Sequence, residues 1–152
     1  MARTQAAPRT GAQRERDVLT RLSEDKDAWV ATATRDGEPS LVPLSFLWWD
    51  DTLLLNTRRA NPTARDLARG GRALISLGHT RDVVLLEATG EVLPEGGLPE
   101  TVGEAFVAKA GWDPRGRELW AFLRLRPRSI RAWREVNEMD GRHLMRDGRW
   151  LV

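Results

Sequence analysis

The spacing of apolar positions changes repeatedly along the chain, and each change marks an element. Over residues 14–23, Val18, Leu19 and Leu22 recur at helical spacing among charges, which predicts one short amphipathic helix ending in the polar cluster of residues 23–27. The period then falls to two. Residues 28–35 and residues 40–49, both rich in β-branched, aliphatic and aromatic side chains, flank Asp36 and Gly37 and predict a hairpin. Pro43 lies inside the second run; with no N–H to donate, it marks an edge, a bulge or a lapse in pairing. After Asp50 and Asp51, residues 52–57 supply a third strand, so the order so far is a meander.

Asn61 as N-cap, Pro62 at the first helical position and Gly70 with Gly71 beyond the end predict a two-turn helix. Residues 72–77 read as a fourth strand, residues 78–81 as a turn, and residues 82–93 as a long fifth strand with Gly90 as its bulge. Over residues 99–110, Val102, Ala105, Phe106 and Lys109 share one helical face, and Gly111 stops the helix. Residues 120–133 read as a strand interrupted at Pro127, and residues 143–152 as a terminal hairpin about Asp147 and Gly148. The class that results is mainly β with a few short helices, a six-stranded antiparallel sheet closed into a small barrel. A parallel doubly wound sheet would need a helix at every crossing.

At 152 residues with 41% hydrophobic side chains, the chain suits one core. Residues 1–12, rich in Ala, Arg, Thr and Pro without an apolar period, read as a disordered arm before a single domain over residues 13–152. No apolar run approaches the roughly 20 residues that cross a bilayer, and the first residues lack the apolar core of a signal peptide, so a cytoplasmic protein without a membrane partner is expected. Zero Cys removes disulfides, thiolate catalysis and Cys-ligated metals; with only His79 and His143 left, no metal site is expected.

A pI near 9.9 accompanies a formal charge of only +2. With no Tyr, no Cys and only Lys26 and Lys109 as lysines, little titrates between neutrality and pH 10, so the high pI is weak evidence for nucleic acid. The excess lies in residues 115–152, with ten basic and five acidic side chains.

Candidate chemistry concentrates after the third strand. A helix N-terminus offers unpaired N–H groups, and the approach to this one carries Asn56, Thr57, Arg58, Arg59, Asn61 and Thr63, a set suited to phosphate. The bland alternative is a solvated turn with an ordinary cap. Residues 40–49 put Leu41, Pro43, Ser45 and Leu47 on one face and Val42, Leu44, Phe46 and Trp48 on the other, so both faces are largely apolar. One could meet a flat ligand or a partner; otherwise the wall packs a core inside and a helix outside. Of seven Trp, Trp29, Trp120 and Trp133 read as core or interface, whereas Trp48, Trp49, Trp112 and Trp150 stand near turns or the terminus. Hydrolytic sets are poor: no nucleophile elbow exists, and no catalytic residue can be named. An anion cradle without reactive groups points to a bound cofactor that performs the chemistry.

The runs Trp29-Val-Ala-Thr-Ala-Thr-Arg-Asp-Gly-Glu-Pro, Leu41-Val-Pro-Leu-Ser-Phe-Leu-Trp, Leu53-Leu-Leu-Asn-Thr, Asn61-Pro-Thr-Ala-Arg-Asp-Leu and Thr80-Arg-Asp-Val-Val-Leu-Leu-Glu, followed by Ala132-Trp-Arg-Glu-Val-Asn-Glu and Leu144-Met-Arg-Asp-Gly-Arg-Trp-Leu, resemble the pyridoxamine 5'-phosphate oxidase-like flavin and deazaflavin oxidoreductases, in a short actinobacterial-type branch. The resemblance implies a split β-barrel homodimer with FMN, or alternatively coenzyme F420, at the subunit interface, and an oxidoreductase acting on a small organic substrate. It implies that Leu41, Val42, Pro43 and Leu44 lie along the ring, that Asn56, Thr57, Arg58, Asn61, Thr63 and Arg65 surround the phosphate and ribityl chain, and that Trp150 approaches the cofactor. Two positions depart from the family pattern: Thr63 stands where many relatives carry Lys, and Asp66 where they carry Asn. Both changes weaken phosphate attraction unless Arg58, Arg59 or Arg65 compensates.

Two other classes are to be weighed. A non-catalytic split barrel could hold a cofactor, haem or metabolite, with His79 or His143 as the available axial ligands. Nucleic-acid binding through Arg124, Arg126 and Arg128 is opposed by the five acids of the same tail, and no nucleic-acid partner is expected.

Overall fold

A computed structural model describes residues 4–152. In chain order the elements are α1 (Gly11–Glu24), β1 (Asp27–Ala33), β2 (Pro39–Trp49), β3 (Thr52–Arg58), α2 (Pro62–Ala68), β4 (Arg72–Ser76), β5 (Val83–Val92), α3 (Glu100–Ala110), β6 (Trp120–Trp133), β7 (His143–Arg146) and β8 (Arg149–Trp150), with one 3-10 turn at Val136–Glu138. The strands run in the order β3-β2-β1-β4-β5-β6, and β3 pairs again with β6, closing a six-stranded antiparallel barrel from which β7 and β8 extend. Among the described residues, no helix is long and apolar enough to cross a membrane.

Alternation along each strand puts Val30, Phe46, Leu53, Leu55, Ile75, Leu86, Leu123 and Leu125 inside, and Val18 and Leu22 of α1 with Ala64 and Leu67 of α2 complete that core. Each large side chain buried this way contributes roughly 1.5–3 kcal/mol. A second, smaller cluster lies outside the wall, where Val102 and Phe106 of α3 cover Leu47 and Leu54. The mixed apolar character of residues 40–49 thus has two causes: an inner face in the core, and an outer face that α3 covers only at Leu47.

Three features differ from the sequence expectation. The first helix begins at Gly11 rather than Arg14, because Thr10 and Gln13 form a reciprocal capping box. Arg9, expected in the arm, donates to Glu138 through Nε (2.9 Å) and Nη2 (2.8 Å); residues 1–3 of that arm lie outside the described residues. Gly90 is not a bulge. It pairs in register with Leu125, and a Cβ there would stand 2.6 Å from Leu67 Cδ2 and 2.6 Å from Leu125 Cδ2, so glycine is required by close packing. The irregularity sits opposite, on β6, where Glu87 faces Ser129 and Ala88 faces Pro127, leaving Arg128 as the extra residue. That bulge carries Pro127 without interrupting β6. The terminal turn reads as expected, with Asp147 at φ 49° and Gly148 at φ 76°.

Candidate functional site

The opening in the barrel wall follows from the backbone of β2. The N–H of Phe46 bonds the carbonyl of Lys26, so positions 40, 42, 44 and 46 direct their backbone groups toward β1, and positions 39, 41, 43 and 45 direct theirs away from it. Pairing with β3 begins only at Phe46, opposite Leu55. Over residues 39–44 the outer edge therefore has no ladder partner among the described residues. Pro39 and Pro43 occupy two of its three outward positions and remove two donors, leaving the N–H of Leu41 with the carbonyls of Leu41 and Pro43. Pro43 stands at a lapse in pairing, one of the three options its chemistry allowed, and the edge is blunted against further strand addition.

Beside this edge the outer face is apolar and open. Leu41 is 61% exposed, Trp29 46% and Leu74 42%. They are neighbours across the sheet: Trp29 faces Pro43 and Ser76, and Ala31 faces both Leu41 and Leu74. A depression of about 620 Å³ continues along Ala31, Leu74, Glu87 and Arg128. Contiguous exposed apolar side chains of this kind mark a contact surface.

The segment after β3 is built differently from a simple anion cradle. Asn61 holds the N-cap position and its carbonyl accepts from the Arg65 N–H at 3.1 Å, but its side chain makes no bond to the helix; its Nδ2 donates to Thr57 Oγ1 at 2.9 Å, tying the helix entry to the strand end. Thr57 and Thr63 are buried. Asn56 Nδ2 donates to the carbonyl of Ala121 at 3.1 Å, and its Oδ1 is buried without a donor among the described residues. Asp66, also buried, accepts from Thr32 Oγ1 at 2.8 Å, so the carboxylate that departs from the family pattern is tied to β1 rather than aimed at an anion. At seven residues, α2 is too short to carry much macrodipole. What it offers instead is Arg65 and Arg69, one turn apart, beside a depression of about 350 Å³ shared with Thr34, Ser40 and Glu38 of the β1–β2 hairpin. Neither arginine has a carboxylate within ion-pair distance among the described residues.

Arg58 and Arg59 line another depression. Arg58 stacks over Trp120 with 5.4 Å to the ring centroid, and Arg59 Nε donates to the carbonyl of Glu118 at 3.0 Å. The expected site residues thus fall into three groups: Leu41, Val42, Pro43 and Leu44 on the open strand; Asn61 at the cap of α2 with Thr63 and Arg65 on it, joined to Thr57; and Arg58, on the face of β3 that Asn56 shares, with Arg59 just beyond the strand beside Trp120. Trp150 is half-buried against the core, its Nε1 3.4 Å from Asp51 Oδ2. Arg69, Ser40 and Thr34 are residues that sequence reasoning missed; the i,i+4 repeat of Arg65 and Arg69 was the available signal.

Titratable chemistry at this surface is sparse. His79 is an exposed turn residue at φ 47°. His143 is half-buried; burial, then the nearby Arg146, Arg142 and Arg131, hold its imidazole below the usual range and favour the neutral form. Among the described residues, no three His, Asp or Glu side chains converge as a metal-binding group.

Comparison with known proteins gives the following. The family profile described as pyridoxamine 5'-phosphate oxidase matches residues 15–134. No curated protein sequence matches. Among solved structures, an F420 reductase superposes with a TM-score of 0.60 at 13% identity, covering 73% of this chain and 93% of that one. General stress protein 26 from Bacillus anthracis gives 0.62 at 17%, covering 79% and 92%. HutZ, the heme storage protein from Vibrio cholerae, gives 0.55 at 14%, covering 74% and 89%. At such identities the likeness is one of fold.

Proposed function

The chain belongs to the pyridoxamine 5'-phosphate oxidase family, and from that premise we propose that it is a homodimeric oxidoreductase that holds FMN, or alternatively F420, against the open edge of β2. The observation that carries the reading is that edge: the N–H of Leu41 and the carbonyls of Leu41 and Pro43 without a ladder partner among the described residues, flanked by exposed apolar side chains and ending near the depression that Arg65 and Arg69 line. The residues fit the group. A flat ring has apolar contact along Leu41 and Pro43 and hydrogen-bonding partners on the strand edge, and a phosphate has two arginines without carboxylate partners and the hydroxyls of Ser40 and Thr34. Asp66 and Glu38 also line this depression; Asp66 Oδ2 is taken up by the Thr32 hydroxyl, and Arg65 and Arg69 offset the two carboxylates.

When bound, the flavin or deazaflavin supplies hydride transfer. The protein's part is to orient it, to keep water from the ring and to set the charge at its phosphate end. A second copy of the chain would complete the enclosure by covering Trp29, Leu41 and Leu74. We read the substrate as a small organic molecule admitted beside the ring.

The test is an absorbance titration with FMN and, separately, F420. Saturable binding of one is expected, with the double variant Arg65→Ala/Arg69→Ala weakening it about tenfold to a hundredfold, as loss of charge-assisted hydrogen bonds implies. Saturable binding that the double variant leaves unchanged would move the phosphate elsewhere; no binding of either would remove the oxidoreductase reading. A carrier without turnover is the second reading; HutZ, described as a heme storage protein, shares this fold. Reduction of the bound cofactor without onward transfer to any acceptor would support it.

A further inference from the structure

The depression that takes Arg58 and Arg59 has a construction of its own. Arg58 lies over Trp120 at 5.4 Å, Trp120 packs edge to face with Trp112 at 4.8 Å and 71°, and Arg117 lies over Trp112 at 5.7 Å. Two packed indoles thus stand between two cations beside the hollow. The main hollow, about 520 Å³, is bounded by Arg58, Arg59, Glu95, Glu118 and Leu119. A narrower hollow of about 170 Å³ shares Arg59 and Glu95 with it and has Leu93, Leu98, Phe122 and Trp120 in its lining. The larger hollow, bordered by Arg58 and Arg59, has the volume of a small-ligand site, and the narrower one, reached past Arg59 and Glu95, supplies the aromatic floor of Trp120 and Phe122.

The walls are fixed by the protein. Leu93 N–H donates to the carbonyl of Phe122 at 2.9 Å, Gly97 N–H to that of Pro94 at 2.9 Å, and Trp120 N–H to that of Arg117 at 3.0 Å. On the far rim Arg115 is committed: it grips Asp113 through Nε and Nη2, both at 2.9 Å, and its Cδ lies against Gly103 of α3, 2.9 Å from where a Cβ would stand. Arg58, Arg59 and Arg117 differ from it, having no carboxylate within ion-pair distance among the described residues although Glu95 and Glu118 share the hollow. Arg59 is held by its Nε, and neither terminal amine has a hydrogen-bond partner among the described residues. Leu119, 66% exposed, stands at the mouth.

We propose that this depression is a second binding site, for a small planar aromatic molecule bearing a phosphate or carboxylate. The ring would pack against Trp120 and Phe122, and the anion would meet Arg59, with Arg58 and Arg117 at the rim. The enclosing loops at residues 94–99 and 114–119 favour a small molecule over an extended polymer. The site is separate from the β2 edge and does not depend on what binds there.

The test follows the seven indole N–H signals in a ¹H–¹⁵N spectrum, assigned with Trp112→Phe and Trp120→Phe, during titration with adenosine 5'-monophosphate and, separately, 1-naphthoate. Adenosine and inorganic phosphate are the half-ligand controls. The expected result is saturable movement of the Trp120 and Trp112 signals by at least one whole aromatic anion, at least tenfold tighter than by either half. Arg59→Ala should weaken it tenfold or more, and Arg65→Ala/Arg69→Ala should leave it unchanged. Arg117→Ala, on the surface and apart from the barrel core, gives a second variant with the same expected direction. Absence of movement at 10 mM of both anions, indifference to both Arg59→Ala and Arg117→Ala, dependence on Arg65 and Arg69, or far tighter binding of a short single-stranded oligonucleotide through the same signals would each overturn the proposal.

Discussion

Replacing Glu138 by Gln removes one charge from the cluster that fastens the N-terminal segment to the barrel. Glu138 ends the 3-10 turn and is 2% exposed. It accepts from Arg9 Nε at 2.9 Å, Arg9 Nη2 at 2.8 Å, Arg9 N–H at 3.0 Å and Arg134 N–H at 2.9 Å. Arg14, 3% exposed, completes the arrangement by donating to the carbonyls of Ala132 at 3.1 Å and Glu138 at 3.0 Å. The Arg9 hydrogen bond, opposed by burial and aided by the two backbone N–H groups, holds the Glu138 carboxyl at about 2, against an ordinary 4.5. At about 1.4 kcal/mol per tenfold change in proton affinity, that depression corresponds to about 3 kcal/mol of folded-state stabilisation. Solvent screening is slight, because the two side chains are 3% and 10% exposed. Breaking a buried pair from one side costs on the order of 3–5 kcal/mol, which agrees.

The folded-state value lies below the unfolded one, so this stabilisation is complete above about pH 4.5 and is lost as the pH falls toward 2. Urea unfolding of Glu138→Gln at pH 7 should show a loss of about 3 kcal/mol, and thermal unfolding a fall of about 6–12 °C. The gap between wild type and variant should close between pH 4.5 and 2. Arg9→Ala should cost a similar amount, with the double variant little worse than the poorer single. A loss below about 0.5 kcal/mol, or a gap unchanged across that pH range, would mean that the Arg9–Glu138 pair does not stabilise the fold.

Gly90→Ala should destabilise by about 1–3 kcal/mol in the same assay, since its Cβ meets Leu67 and Leu125 at 2.6 Å and both side chains belong to the core. Thr32→Val should cost at least about 1–3 kcal/mol by leaving the buried Asp66 carboxylate without its hydroxyl donor; Asp66→Asn in that background should restore part of the loss. Trp29→Glu with Leu74→Glu should yield a folded monomer by sedimentation velocity, with an unchanged far-ultraviolet spectrum; a wild type already monomeric would refute the proposed interface.

The strands were legible because one buried face imposes a period of two, and α2 and α3 because proline and glycine punctuate them. What escaped notice depended on contacts distant in sequence. Arg9 looked like part of a featureless arm, since nothing local reveals that Glu138 lies 129 residues away in the chain and directly beneath it. Gly90 carried the usual sign of a bulge, yet the bulge belongs to β6, where Pro127 had to be accommodated. The candidate site shows the same limit. Adjacent Arg58 and Arg59 suggested one cradle with Arg65, but α2 turns away from the end of β3, so the two arginines line the Trp120 hollow while Arg65 joins Arg69 beside the hairpin. The apolar outer face of β2 was visible in the sequence; which part α3 covers, and which part stays bare, was set by tertiary packing.

The most direct test of the central claim is native mass spectrometry of the purified protein mixed with excess FMN or F420. A dimer carrying two copies of one of them is expected, with binding weakened by Arg65→Ala/Arg69→Ala. A monomer that takes up neither would contradict that claim.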